Sequence, residues 1–152
     1  MNCKLSDLNF VFVGFKFTGL FSDYPKLIPQ GLSEIKDKEQ QIINRLDKTI
    51  ILYEPCKGED HKIGYFYLGW IMTKEQLTLP DEANLIRING KYATSSGTID
   101  QMEEIYSRIN NWIREKEYKP IWPETLYIEI YETPLGPEIT LREEVQVYLP
   151  IE

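Results

Sequence analysis

Residues 125–134 read TLYIEIYETP, and residues 49–55 read the similar TIILYEP. Both are short runs of apolar, β-branched and aromatic residues that end near a proline, which is typical of β-strands. If Tyr53 corresponds to Tyr131, Ile51 takes the place in the first run that Glu129 takes in the second. The two runs therefore indicate a duplicated strand in which Glu129 is a local departure from the repeat.

The first half of the chain predicts one helix among three strands. The breaker residues Pro25, Pro29 and Gly31 predict a loop after the first strand, and Ser33 then fits the N-cap of an amphipathic helix that reaches Leu46. The predicted order is strand, helix, strand, strand, at 10–17, 33–46, 49–53 and 63–72.

The second half repeats this order after a polar link at 73–84. Its first strand, at 85–93, contains an Asn-Gly pair at 89–90, which predicts a bulge or tight bend. A capping-box pattern at 98–101 opens a helix with a continuous apolar stripe. The two remaining strands are predicted at 124–131 and 139–149.

Two such units predict the fold class. A chain of 152 residues is long enough to bury a core as one domain, here with pseudo-repeats at about 5–72 and 84–152. Duplicated βαββ units with short connections favour an α+β fold, with an antiparallel sheet and both helices on one face. We expect the other face of the sheet to form a ligand groove between the halves.

Glu129 is the most informative single residue. Strict alternation places Ile128 and Ile130 on one face of the strand, and Tyr127, Glu129 and Tyr131 on the other. An acid among aromatic rings suits the lining of a pocket that accepts an apolar cation. Spacing alone favours the alternative, a half-exposed strand whose glutamate faces water.

Composition excludes several classes of site. The net charge of −7 and the pI near 4.9 argue against direct nucleic-acid binding through a basic surface. Cys3 and Cys56 form neither a disulfide framework nor a metal-ligand spacing, and the single histidine, His61, lies in a polar turn. We therefore expect no metal and no cofactor. The N-terminus lacks a signal-peptide core and no segment reaches transmembrane length, so we expect a cytoplasmic protein without membrane contact.

Several stretches, taken in order, resemble GyrI-like effector-binding domains. They are the link and strand at 79–93, the helix that ends at 112–113, the strand end at 129–131, the closing strand at 145–151 and the aromatic strand at 66–70. Each motif is loose by itself, and their order and spacing over nearly the whole chain carry the resemblance.

The resemblance implies a duplicated βαββ fold and a function. The superfamily includes effector domains of multidrug-responsive transcription regulators, small gyrase-modulating proteins and hydrolases of cyclopropane-bearing natural products. In drug-sensing members, an acid on the strand that matches 124–131 pairs with cationic aromatic ligands, and Glu129 occupies that position. Because the first strand begins almost at the N-terminus, we expect a stand-alone member without a helix-turn-helix domain.

The leading hypothesis is a stand-alone binding protein for lipophilic, cationic aromatic compounds. Glu129 would supply the counter-charge, and Tyr67, Trp70, Tyr127 and Tyr131 would supply the walls. Core packing is the alternative for Trp70, because the sequence does not decide which face of strand 63–72 lines the pocket.

Two further interpretations remain open. One is a hydrolase of strained cyclopropane-type rings with Glu129 as general base, for which the sequence offers no second catalytic partner. The other is a protein-interaction module that binds gyrase or a separate regulator.

Overall fold

Two β-α-β-β units follow each other in the computed structural model, which describes residues 3–121 and 125–152. A single turn of 3₁₀ helix precedes each α-helix, at Phe21–Asp23 and Ile99–Gln101. The elements are β1 (Lys4–Leu20), α1 (Tyr24–Glu39), β2 (Thr49–Tyr53), β3 (Ile63–Ile71), β4 (Asn84–Thr98), α2 (Met102–Glu115), β5 (Tyr127–Tyr131) and β6 (Glu144–Ile151).

All six strands belong to one antiparallel sheet that closes on itself. Its order is β1-β3-β2-β5-β6-β4, and β4 pairs again with β1. The halves are joined along two ladders, β2 with β5 and β1 with β4. The predicted α+β class, with a duplicated unit and an antiparallel sheet, is therefore confirmed.

The two faces of the sheet have different partners. The face inside the closed sheet holds one apolar cluster, made of Phe12, Ile50, Leu52, Ile88, Tyr92, Ile128 and Ile130. The other face packs against the helices, and its cluster includes Ile51, Phe66, Leu68, Ile105, Ile109 and Val147. The groove that the sequence predicts on the face without helices is absent there among the described residues, because closure of the sheet fills that face with side chains. A cavity of about 790 Å³ lies on the helix face instead.

Helix α1 begins earlier than predicted. It runs from Tyr24 to Glu39, with Pro25 in its first turn and Pro29 inside it, so the predicted loop and the Ser33 N-cap are wrong. Proline is tolerated in the first turn because the first N–H groups have no partner within the helix. Gly31 brings the helix close to the sheet, since a β-carbon there would lie 2.7 Å from Leu68 and 3.2 Å from Phe17.

The second helix follows its prediction, whereas several strands differ in extent: β1 and β4 are longer than predicted, and β6 is shorter. The capping box at 98–101 is formed, and α2 buries Ile105, Ile109 and Ile113. The predicted bend at 89–90 is wrong, because β4 continues through it in register with β1. The start predicted for the fifth strand, at 124, lies outside the described residues, and β6 begins at 144 instead of 139. Within the described residues, no helix is both long and apolar enough to span a membrane.

Candidate functional site

A cavity of about 790 Å³ lies between the beginnings of the two helices. Its floor comes from neighbouring strands of the two halves, β2 and β5, and its outer wall comes from the loop at 135–141. Most of its lining is apolar or aromatic, including Phe21, Tyr24, Ile28, Met102 and Tyr127. This volume lies in the range of known small-molecule pockets, about 300–1,000 Å³.

Glu129 lies in the floor of this cavity. It pairs with Ile51 in the ladder between β5 and β2, and directly opposed residues point to the same face of a sheet. Its side chain faces the helices and is only 3% exposed. The alternation predicted for this strand is therefore present, with Ile128 and Ile130 on the opposite face.

Three tyrosine hydroxyls donate hydrogen bonds to the Glu129 carboxylate. Tyr53 Oη and Tyr131 Oη donate to Oε1, at 3.0 and 2.6 Å, and Tyr106 Oη donates to Oε2 at 2.8 Å. Tyr53 comes from β2, Tyr106 from α2 and Tyr131 from the same strand as the acid. The carboxylate is therefore held from three sides by neutral donors.

Burial and hydrogen bonding act on the Glu129 carboxyl in opposite directions. Burial raises its pKa above the ordinary value of 4.5, and the hydrogen bonds from Tyr131, Tyr106 and Tyr53 lower it. Burial, with the charge of Glu129, raises the pKa of all three phenols above their ordinary 10.0. The phenols therefore stay protonated at neutral pH and remain available as donors.

Glu129 has no basic partner in the described part of the chain. The ion pairs there involve other carboxylates, and none places a lysine, arginine or histidine nitrogen within 4.0 Å of Glu129. It is also the only charged side chain that is buried among residues 3–121 and 125–152. Burying a carboxylate without a nearby cation costs free energy. The cavity floor therefore lacks a positive charge that would compensate Glu129 within the described residues.

A second acid, Glu54, lies at the edge of the cavity. Lys57 Nζ is 3.2 Å from one of its oxygens, and His61 Nε2 is 3.4 Å from the other. The predicted turn residue His61 also packs edge-to-face with Phe21, with the ring centroids 4.9 Å apart. The charge of Glu54 is thus largely balanced, in contrast to that of Glu129.

Three of the five residues expected from the sequence come together in this cavity, namely Tyr127, Glu129 and Tyr131. Tyr67 does not line it, because it pairs with Leu52 and packs against the cluster inside the closed sheet. Trp70 faces the helix side, but it lines a separate cavity of about 220 Å³.

Sequence reasoning missed two of the residues that contact the acid, Tyr53 and Tyr106. Tyr53 was visible in the duplicated run, two residues from Ile51 and hence on its face. Tyr106 belongs to the apolar stripe of α2, where its hydroxyl gave no separate signal. No group of histidine, cysteine and acidic residues suited to a metal ion occurs in the part of the chain that the structure describes.

Solved structures share this fold over nearly their whole length. The structure of SAV2435 bound to tetraphenylphosphonium has a TM-score of 0.68 and 14% identity, over 100% of this chain and 94% of that chain. An integron cassette protein of Vibrio cholerae has a TM-score of 0.66 and 15% identity, over 100% and 97%. The C-terminal domain of EcmrR has a TM-score of 0.65 and 14% identity, over 99% and 96%. At these identities the likeness shows a common fold.

The family of the chain is assigned from its sequence. No curated protein matches the chain. The family described as integron-associated effector binding protein, however, matches residues 9–151, which confirms the resemblance found in the sequence. Since this match spans nearly all of the sequence, the chain belongs to the integron-associated effector binding proteins, a GyrI-like family.

Proposed function

We propose that this chain binds lipophilic, cationic aromatic compounds in the large cavity, with Glu129 as the counter-charge. The observation that carries the proposal is a buried carboxylate, 3% exposed, that faces an apolar cavity and has no cationic partner in the described part of the chain. A ligand cation would supply the missing charge.

The energetics favour a cation over a neutral or anionic ligand. Burial penalises the charged form of Glu129, and within the described residues only neutral phenols compensate it. A cation in the cavity interacts with this carboxylate in a poorly screened environment, where opposite charges attract more strongly than in water. An anion there would be repelled by the same field.

The cavity walls suit apolar, aromatic ligands. The rings of Tyr106 and Tyr127 have their centroids 6.1 Å apart, and the Tyr24 ring stacks on that of Tyr53 at 6.1 Å. Each aromatic ring in contact with a desolvated cation contributes about 0.5–2 kcal/mol. Because Tyr67 and Trp70 lie outside this cavity, the proposed binding residues are Tyr53, Tyr106, Tyr127, Glu129 and Tyr131.

The comparisons support the same ligand class. SAV2435, which has this fold, is described as bound to tetraphenylphosphonium, a lipophilic cation. Membership of an effector-binding family is consistent with a small-molecule ligand for this chain as well.

A pair of ions with the same shape and opposite charge tests the proposal. Tetraphenylphosphonium and tetraphenylborate would each be titrated into the protein, with thermal unfolding and calorimetry as readouts. We expect the phosphonium to stabilise the folded protein, by about 2.7 kcal/mol at a hundredfold excess over Kd, and the borate to have no effect. Equal stabilisation by both ions, or by neither, would contradict the proposal.

A further inference from the structure

The Glu129 carboxylate has little hydrogen-bonding capacity left for a ligand. A carboxylate offers about four lone-pair positions. Tyr53 and Tyr131 occupy both positions of Oε1, and Tyr106 occupies one of the two on Oε2. Among the hydrogen bonds of the described residues, these three leave one acceptor position on the carboxylate.

The other acids of the cavity do not make up for this. Glu54 already pairs with Lys57 at 3.2 Å and with His61 at 3.4 Å, and Glu138 is exposed to water on the outer loop. The phenol oxygens around Glu129 can still accept, but they are neutral, and a neutral acceptor compensates an ammonium N–H less well than a carboxylate does.

Building on the proposed function, we propose that this arrangement selects cations with no more than one N–H donor. Quaternary and tertiary ammonium groups, phosphonium ions and N-alkylated aromatic cations meet that condition. Primary ammonium and guanidinium groups do not, because they bring several donors into a cavity with one charged acceptor position. Glu129 thus attracts ligands by its charge and discriminates among them by its occupied lone pairs.

The discrimination follows from desolvation. A polar N–H that leaves water and finds no partner loses affinity by about tenfold. A primary ammonium has three N–H groups, of which the free position on Oε2 satisfies one. Quaternary ions leave no N–H unsatisfied and keep the full attraction to the carboxylate.

A methylation series of one arene tests the inference. Biphenyl-4-ylmethylammonium with zero, one, two or three N-methyl groups would be titrated calorimetrically, beside tetraphenylphosphonium as reference. We expect the Kd to fall with each methyl group and to be lowest for the tertiary and quaternary ions. Because a buried methyl group itself strengthens binding about fourfold, variants must separate donor count from hydrophobicity.

Tyr106→Phe and Tyr131→Phe provide that separation, because each frees one lone pair of Glu129 and changes no methyl group of the ligand. In each variant we expect the ratio of the primary to the quaternary Kd to fall by about tenfold. Tyr67→Phe is the matched control, since it removes a phenol hydroxyl on the opposite face of the sheet and should leave the ratio unchanged. Binding of tetraphenylphosphonium by each variant verifies that its cavity is intact.

Each result bears on the inference in a defined way. A ratio that stays the same in both variants would overturn it, as would a primary ammonium that binds the unmodified protein as tightly as the quaternary ion. Both results leave the proposed function intact as long as tetraphenylphosphonium binds. Failure of every cation to bind would overturn both proposals.

Discussion

Tyr53 Oη donates a hydrogen bond of 3.0 Å to Oε1 of Glu129 and thereby joins the two halves of the chain at a buried acid. The residues lie 76 positions apart, on β2 and β5, which are neighbours in the closed sheet. Tyr106 approaches the same carboxylate from α2. The site therefore exists only when both βαββ units are assembled.

Glu129→Gln should weaken the binding of tetraphenylphosphonium by about 2 kcal/mol, or roughly thirtyfold, because the attraction between two charges a few ångströms apart is lost. Calorimetric titration measures the change, and Tyr67→Phe should bind as the unmodified protein does. An affinity that does not change would mean that Glu129 is not the counter-charge.

The affinity for tetraphenylphosphonium should rise with pH. Burial raises the pKa of Glu129 above the ordinary value of 4.5. At a pH just above 4.5, part of the ligand-free protein therefore carries a neutral carboxyl, which must lose its proton before it can act as the counter-charge of the cation. The ligand has a permanent charge, so only the protein titrates. Calorimetry at several pH values should show tighter binding and less proton release at higher pH. An affinity that is flat with pH in the unmodified protein would contradict this.

Tyr131→Phe should move the midpoint of that pH profile upward. The hydrogen bond from the Tyr131 hydroxyl, at 2.6 Å, lowers the pKa of Glu129 more than the bonds from Tyr106 and Tyr53 do. Without it, the effect of burial, which raises this pKa, is opposed by fewer hydrogen bonds. The same titration, repeated on the variant, measures the shift. A change in affinity with the same midpoint would indicate lost packing instead of a lost hydrogen bond.

Folding stability should depend on pH through the same group. A carboxyl whose pKa is raised on folding favours the folded state fully below its unfolded pKa, near 4.5, and this contribution is lost as the pH rises through the folded-state pKa. The unmodified protein should therefore lose stability relative to Glu129→Gln above that pH. Urea unfolding of both proteins between about pH 5 and 8 measures the difference between their free energies of unfolding. Groups that titrate in the same way in both proteins do not contribute to this difference. A difference that stays constant would argue against a raised pKa.

Gly69→Ala should destabilise the sheet. Gly69 pairs with Gly14, and a β-carbon at Gly69 would meet the carbonyl oxygen of Val13 and the α-carbon of Gly14. We expect the free energy of unfolding to fall by about 1–3 kcal/mol, because backbone atoms must move to admit the methyl group. Gly136→Ala is the control, since nothing lies within 4 Å of its added β-carbon. Equal stability of the two variants would show that β1 and β3 can separate at little cost.

Local patterns in the sequence were sufficient for much of the fold. The alternation in β5 and the apolar stripe of α2 each depend on residues a few positions apart, and both elements have the predicted type and facing. The duplicated order of elements and the resemblance along the chain led to the correct family. The start of helix α1 was misplaced because the local propensity of Pro25, Pro29 and Gly31 indicates a loop. In the structure all three lie in the helix, Pro25 in its first turn and Gly31 close to the sheet.

Side chains alternate along any β-strand, so local pattern was enough to place Glu129 on one strand face with Tyr127 and Tyr131. The folded chain was needed to show that this face lies under the helices, that Tyr53 and Tyr106 contact the carboxylate, and that Tyr67 points to the opposite side. These relationships depend on which strands pair and on how the sheet closes. Such pairings join residues far apart in the chain, and no local periodicity encodes them.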